Sequence, residues 1–553
     1  MRLPASRSVL DLVACLAAAA AISTPVATVL AIRTVSFSDY LGTVPVEVSL
    51  SHNGTSSLDT GIFGTVYADR TGPLGFGATA RVTGTPQAAG TLASYVDPKF
   101  LRVYVTLIDD PDQVVDAYGT MFGQALRTEV LRNVGLGGIG LGVVLFYLIP
   151  RTRLRQMPRG QMIAACLGLT LAGTAVSGAA AGIIWDRWPG SDPVSETYAM
   201  DSVDGLSFSS PQTREVAQQI QPFVNKNLTR METEARAYET AAGASFAAAL
   251  ATTTDVAPRD GERIVIAEAD TQGSQVGAAV RTQMYADLVA RLGPDAFVVR
   301  TIAGDITSNG AVAESGYLAE EGRVSPTMPT LVAAGDHDSE TTWEQFADAR
   351  LTPVDLETTE VDGIRVAGAH DREHKSLFGA LVTNREGISE EELGQQLRRT
   401  VDDQGEPVAA IIHQPVAAAA YLGLDAVQQL ADLPRSLTTP VDDGVADVPA
   451  GSLSYGHWHQ ADGPWVLWNT DGDRVTWTVV DQLGTAGGVE NAPTISSFST
   501  PISAPLKDVM VRLHYVDQDS GLTTGFVTIE CTVQGICTIS DRVDVGLPGG
   551  QPG

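Results

Sequence analysis

Three apolar stretches near the start of the chain constrain its fold most, because an apolar run of bilayer length must form a helix to satisfy its backbone in lipid. They cover residues 9–32, 134–149 and 162–185. The third reaches the roughly 20 residues that a spanning helix needs. The second is short and glycine-rich (GLGGIGLG), which is typical of close helix packing. We therefore predict transmembrane helices over 132–150 and 162–186, and a transmembrane helix or signal anchor, cleaved or not, over 1–32.

The loop at residues 151–161 predicts the orientation of these helices. It contains four arginines and no acidic residue: Arg151, Arg153, Arg155 and Arg159. Short loops rich in arginine stay in the cytoplasm. Arg127 and Arg132 flank the second span and argue weakly for the opposite orientation. We expect a multi-pass membrane protein with residues 33–131 and everything after the third span on the outer side.

The remaining text divides into three parts and a tail at 546–553. Residues 33–131 predict an extracytoplasmic β-rich domain, from stretches such as TVPVEVSLSHNG and FLRVYVTLID. Residues 187–258 have helical periodicity and predict a stalk or a brace against the next domain. Residues 259–545 alternate short apolar runs with helical patterns, which is typical of an α/β fold.

Charge and cysteine content limit the partners. The net charge of −29 and the pI of about 4.5 argue against affinity for nucleic acid. An anionic substrate therefore needs a local positive centre, and a bound metal is the obvious candidate. Cys15 and Cys166 lie in apolar runs, whereas Cys531 and Cys537 flank a predicted hairpin turn. A disulfide and a reduced pair are both open for the latter two.

Five apolar runs in the 259–545 segment end at residues that bind metals. RIVIAEAD ends at Asp270, FVVRTIAGD at Asp305, TLVAAGDHD at Asp336, His337 and Asp338, VAAIIH at His413, and SLSYGHWH at His457 and His459. Each residue alone has an ordinary structural interpretation, as a turn residue or as a histidine whose ring is hydrogen-bonded within the fold. Open α/β sheets, however, bind ligands at the carboxyl ends of their strands. The ordered set predicts a metal site, and carboxylates with imidazoles suit divalent Zn, Mn or Fe.

The blocks GDITSNG, AAGDHD, IIHQP and YGHWH, in this order, resemble those of the calcineurin-like metallophosphoesterases over about residues 262–545. The resemblance implies a four-layer α/β/β/α sandwich that hydrolyses phosphomonoesters or phosphodiesters with a metal-activated water. It implies one metal on Asp270, Asp305 and His459, and a second on Asp336, His413 and His457, with Asp305 bridging. It also implies that His337 meets the substrate phosphate and assists the leaving group, oriented by Asp338.

Two positions depart from the family pattern. Gln272 stands where the family usually has histidine, and Asp336 stands where it usually has asparagine. Gln272 offers only a neutral oxygen, and Asp336 adds a negative charge, so both changes favour harder ions such as Mn²⁺ or Mg²⁺. We include Gln272 among the predicted ligands; an uninvolved loop residue is the open alternative. His370 and His374 are expected on a solvated loop near the site.

The resulting expectation is a membrane-anchored, metal-dependent hydrolase of phosphoric esters, with the lipid bilayer and a phosphoester substrate as partners. The alternative is a catalytically weakened or inactive binding or scaffold protein that kept the fold. A transporter is poorly supported, because the apolar stretches lack a pattern of buried charges.

Overall fold

The computed structural model describes most of the chain, and three of the stretches discussed above lie outside it. The described residues are 5–41, 44–59, 65–69, 75–83, 111–148, 158–187, 196–199, 206–308, 310–375, 382–384, 386–402, 405–433, 436–441, 448–470, 475–488 and 506–548. The FLRVYVTLID stretch, arginines 151, 153 and 155 of the basic loop, and the predicted turn at Asp471 fall outside them. The chain divides into two compact units, one within residues 1–221 and one formed mainly by Pro222–Gly553.

Three long apolar helices belong to the first unit: α1 (Ala5–Thr34), α2 (Pro111–Leu148) and α3 (Arg159–Arg187). Segments Leu12–Thr34, Tyr118–Tyr147 and Gly160–Arg187 are long and apolar enough to cross a membrane. This result confirms the prediction of three membrane-length helices. The second helix begins at Pro111, well before residue 132, and proline is tolerated in the first turn of a helix.

Small residues allow these helices to approach closely. A Cβ placed on Gly142 of α2 would lie 2.7 Å from Leu16 Cδ2 of α1, and one on Gly138 would lie 3.3 Å from Ala20 Cα. The glycine-rich stretch therefore packs against α1, as its composition predicts. Large apolar side chains such as Leu136 remain exposed on α2, as expected for a surface that meets lipid.

A seven-stranded sheet also belongs largely to the first unit. Its order is β1-β2-β5-β3-β4-β7-β6. The strands are β1 (Ser36–Leu41), β2 (Val44–Ser51), β3 (Ser56–Asp59), β4 (Thr65–Ala68), β5 (Gly77–Val82), β6 (Tyr198–Ala199) and β7 (Leu206–Phe208). The last two lie within residues 187–258, the predicted stalk. Strands this short give no periodic signal in the sequence, so the prediction did not include them. Helix α4 (Pro211–Thr252) follows, and Tyr238, Phe246 and Leu250 in its C-terminal half are buried in the core of the second unit.

The second unit contains two large sheets. The first has the order β11-β10-β9-β8-β20-β21-β22, with β23 paired to β21; the second has the order β12-β13-β16-β17-β19-β18. Its strands are β8 (Glu262–Glu268), β9 (Phe297–Ala303), β10 (Thr330–Ala333), β11 (Leu351–Pro353), β12 (Glu357–Val361), β13 (Ile364–Ala369), β14 (Glu373–Lys375), β15 (Val382–Asn384), β16 (Val408–Ile412), β17 (Gly451–Tyr455), β18 (Asp462–Asn469), β19 (Thr476–Gln482), β20 (Val509–Asp517), β21 (Thr523–Cys531), β22 (Cys537–Ile539) and β23 (Val543–Asp544). Strands β14 and β15 form a separate two-stranded hairpin.

The helices of this unit are α5 (Gln275–Leu292), α6 (Ser315–Glu321), α7 (Glu340–Phe346), α8 (Glu390–Asp402) and α9 (Pro415–Leu422). The core is organised by the alternation of side chains along the strands. Ile264 and Ile266 of β8 face a cluster that includes α4 and α5, whereas Val265 and Ala267 face a cluster that includes the six-stranded sheet. A third cluster joins that sheet to α8 and α9. The unit is thus a mixed α/β structure with two sheets in apolar contact.

Several smaller expectations have clear outcomes. Strands β18 and β19 pair antiparallel, and the tryptophans Trp465, Trp468 and Trp477 are buried packing residues. Cys531 and Cys537 form a disulfide. His370 differs from the expectation of a solvated loop: it is buried, its Nδ1 accepts a hydrogen bond of 2.9 Å from the Ala334 amide, and it packs against Trp343.

Candidate metal site

Five strand ends deliver the predicted site residues. Strands β8, β9 and β10 are parallel neighbours in one sheet, and β16 and β17 are parallel neighbours in the other. Because parallel strands end at the same edge, the residues after them meet. The ligand atoms of Asp270, Asp305 and His459 lie within 4.8 Å of one another, and so do those of Asp336, His413 and His457 and those of Asp305, Asp336 and His337. These groups of acids and histidines can hold metal ions.

The histidine at the end of β16 shows that this cluster suits a cation. His413 Nδ1 is 2.9 Å from the carbonyl oxygen of Ala303, which can only accept, so Nδ1 carries the proton. His413 Nε2 is therefore turned towards Asp305 Oδ1 and Asp336 Oδ1, each 3.2 Å away. It has no hydrogen-bond partner among the described residues. An imidazole lone pair facing two carboxylate oxygens is a donor set that attracts a divalent cation.

The electrostatics of the cluster lead to the same conclusion. Asp270, Asp305 and Asp336 are each at most 1% exposed. Burial, above all, raises the pKa of Asp270 well above its ordinary value, and the nearby charge of Asp305 adds to this effect. Burial also lowers the pKa of His459 to about 4, so its ring is neutral near pH 7. Burial lowers the pKa of His413, but the charge of Asp305 and the close contacts of the ring with Asp305 and Asp336 raise it well above its ordinary value. The three buried acids thus require compensating positive charge.

The two histidines after β17 diverge. His457 Nδ1 is 3.6 Å from Asp336 Oδ1, whereas His459 Nε2 is 3.4 Å from Asp270 Oδ1. Both residues have positive φ, at 76° and 57°, so the chain bends here and is not extended. The two rings therefore serve different carboxylates, which is the arrangement expected of a bend.

Backbone strain is concentrated at the site. Asp270, Gln272 and Asp305 also have positive φ, at 55°, 37° and 53°. Such conformations are costly for non-glycine residues and persist where surrounding contacts enforce them. Two glycines make room for these turns: a Cβ on Gly456 would lie 2.6 Å from Asp270 Oδ2, and one on Gly335 would overlap Asp305 Oδ1. This close approach explains why glycine precedes the polar residue in the AAGDHD and YGHWH blocks.

Gln272 lies in the cluster in an unexpected role. It is buried, and its Nε2 donates a hydrogen bond of 3.0 Å to Asp305 Oδ2. Its Oε1 has no hydrogen-bond partner within the described part of the chain. Gln272 thus holds the central carboxylate with one end, and the other end is a neutral oxygen that suits a hard cation.

His337 and Asp338 occupy different positions relative to the cluster. The His337 side chain is 13% exposed, its Nε2 is 3.9 Å from Asp305 Oδ2, and its amide donates to Asp305 Oδ1 at 2.9 Å. Its Nδ1 has no hydrogen-bond partner among the residues that the structure describes. The expectation that Asp338 orients the His337 ring therefore finds no support in the hydrogen bonds.

Asp338 instead fastens two loops of the site to each other. It is buried and accepts hydrogen bonds from the amides of Ile306, Thr307 and Gly335, at 3.1, 2.7 and 2.9 Å, and from the Thr307 hydroxyl. Burial, followed by the charge of Asp305, raises the pKa of Asp338 to about 6. It holds the loop after Asp305 against the loop after β10.

One residue at the site was missed by sequence reasoning. Lys375 Nζ lies 2.8 Å from Asp336 Oδ2. Lys375 belongs to the short hairpin strand β14, which has no motif and no long apolar run, so the sequence gives no signal that Lys375 lies at the site. Its neighbour His374 was noted only as a residue of a loop near the site.

Neither a protein-family model nor a curated protein matches this chain. The geometry of the site and the quoted sequence blocks therefore carry the functional argument.

Proposed function

We propose that this chain is a membrane-anchored phosphoesterase of the calcineurin-like type that depends on two divalent cations. The observation that carries the proposal is the pair of three-ligand groups, Asp270–Asp305–His459 and Asp336–His413–His457, together with the contact of Asp305 with members of both. The apolar clusters on both faces of the two packed sheets support a four-layer α/β/β/α sandwich.

The proposed chemistry assigns a task to each group. Bound divalent cations would supply positive charge to the phosphate oxygens and acidify the attacking water. Asp305 would help to hold both cations, because it belongs to the first ligand group and its Oδ1 lies 3.2 Å from His413 Nε2 of the second. His337 is partly exposed beside Asp305, so its ring can meet a substrate phosphate and donate a proton to the leaving oxygen. Asp338 and Gln272 would act through Asp305 and its loop.

The proposed location is the outer side of the membrane. The disulfide between Cys531 and Cys537 belongs to the same unit as the site, and disulfides persist in oxidising compartments. Labelling of Asp519→Cys by a membrane-impermeant maleimide tests this placement, in a variant with Cys15 and Cys166 replaced by serine. Asp519 is exposed. Labelling of intact cells supports the outer location, and labelling only after lysis contradicts it.

Activity of the detergent-solubilised chain with Mn²⁺ tests the chemistry, with p-nitrophenyl phosphate and bis(p-nitrophenyl) phosphate as substrates. Asp305→Asn and His337→Ala are expected to lower kcat/KM by at least about a hundredfold, because one removes a shared ligand and the other a proton donor. Asp519→Asn, an exposed aspartate outside the cluster, is the matched control and should keep the wild-type rate. Wild-type rates in both site variants would refute the proposal.

Gln272 favours one second candidate, a binding or scaffold protein with a weakened site. It replaces the imidazole that the family uses, and its amide nitrogen donates a hydrogen bond to Asp305. Metal analysis separates the two candidates. Two cations per chain with turnover of a mono- or diester supports the enzyme, and fewer than two cations without turnover supports the scaffold.

A further inference from the structure

Lys375 contacts Asp336 through both its backbone and its side chain. Its amide donates a hydrogen bond of 2.6 Å to the carbonyl oxygen of Asp336, and its Nζ lies 2.8 Å from Asp336 Oδ2. The backbone contact holds strand β14 beside the loop after β10. Lys375 is therefore fixed next to the site, with its side chain 30% exposed and that of Asp336 1% exposed.

The two oxygens of Asp336 face different groups. Oδ1 is 3.2 Å from His413 Nε2 and 3.6 Å from His457 Nδ1, the two imidazoles of its ligand group. Oδ2 faces the ammonium of Lys375. An aspartate paired in this way has the net charge of a neutral amide, yet still presents a carboxylate oxygen to the imidazole side.

We propose that Lys375 is a positioning residue of the cation site: its ammonium offsets the charge of Asp336 and binds Oδ2, so that Oδ1 alone faces the cation. This inference rests on the metal site proposed above. It has an uncommon consequence. If Lys375 only stabilised the fold, its removal would weaken cation binding. If its positive charge lies beside a divalent cation, its removal strengthens the binding of that cation.

Mn²⁺ titration of the full chain in detergent, followed by the electron paramagnetic resonance of free Mn²⁺, tests the inference without an activity assay. Asp336→Asn identifies the relevant Mn²⁺, because it should weaken that ion by about a hundredfold. Lys375→Met should tighten the same ion by about tenfold. The double variant restores the formal charge and should lie within about tenfold of the wild type.

Two further variants complete the design. Lys375→Arg keeps the charge and should keep the dissociation constant within about threefold of the wild type. Thermal unfolding shows whether Lys375→Met folds. If it does not, Lys375→Gln, which introduces a shorter, polar side chain, should show the same tighter Mn²⁺ binding. An unchanged or weakened Mn²⁺ affinity in the folded neutral variants overturns the role of Lys375. A wild-type chain that binds no Mn²⁺ overturns the proposed metal site instead.

Discussion

A buried charge network behind the site offers the sharpest test of how the fold supports it. Glu268, Arg281, Arg300 and Glu321 have fully buried side chains. Arg281 binds Glu321 through two hydrogen bonds of 2.6 and 2.9 Å, and Arg300 contacts both glutamates. Glu268 ends strand β8 and Arg300 lies on β9, so the network braces the two strands that lead to Asp270 and Asp305.

Glu321→Gln is the perturbation. Burial by itself raises the pKa of Glu321, but Arg281 and Arg300 reverse this and hold the pKa far below its ordinary range, so Glu321 is charged in the folded protein. The substitution leaves two buried guanidinium groups facing one carboxylate. Breaking a buried ion pair in this way costs about 3–5 kcal/mol of unfolding free energy.

Urea unfolding of the solubilised chain, followed by tryptophan fluorescence, measures this loss, because Trp465 and Trp477 are buried in the same unit. Glu344→Gln, at an exposed helical position, is the matched control and should change the free energy by less than about 0.5 kcal/mol. Tyr317→Phe, which removes one hydrogen bond of 2.6 Å to Glu321, should cost about 1 kcal/mol. A Glu321→Gln variant as stable as the control would refute the reasoning.

Two other predictions concern the site and the pH dependence of stability. Gly456→Ala places a Cβ 2.6 Å from Asp270 Oδ2 and should weaken Mn²⁺ binding by about tenfold or more. In the control Gly484→Ala the nearest atom to the new Cβ is 3.3 Å away, so this variant should bind Mn²⁺ as the wild type does. Equal Mn²⁺ affinities of the two variants would contradict the prediction. Burial raises the pKa of Glu262, but hydrogen bonds from Arg542 and Thr524 lower it to about 2, against 4.5 when unfolded. Its stabilisation is therefore present above pH 4.5 and lost as the pH falls towards 2. Arg542→Met should reduce this loss of stability at acid pH, measured by thermal unfolding. If the stability of the wild type and of the variant fell in parallel with pH, the assignment would be contradicted.

The sequence located the membrane-length helices and the candidate ligands for local reasons. Apolar runs of that length have few alternatives to a helix, and short apolar runs that stop at a polar residue mark strand ends. Asp270, Asp305 and His413 could therefore be named before any contact was known. Where each helix or domain begins was harder, because the polar start of α2 and the short strands β6 and β7 leave no periodic trace.

Only the tertiary structure decided which groups face each other. The pairing of Lys375 with Asp336, the loops that Asp338 fastens, and the hydrogen bond from Gln272 to Asp305 all join residues that are distant in the chain. Residue type and local pattern cannot specify such contacts, because they depend on strand order and on the bends after each strand. The sequence thus determined which ligand types the chain can offer, and the fold determined their partners, charges and directions.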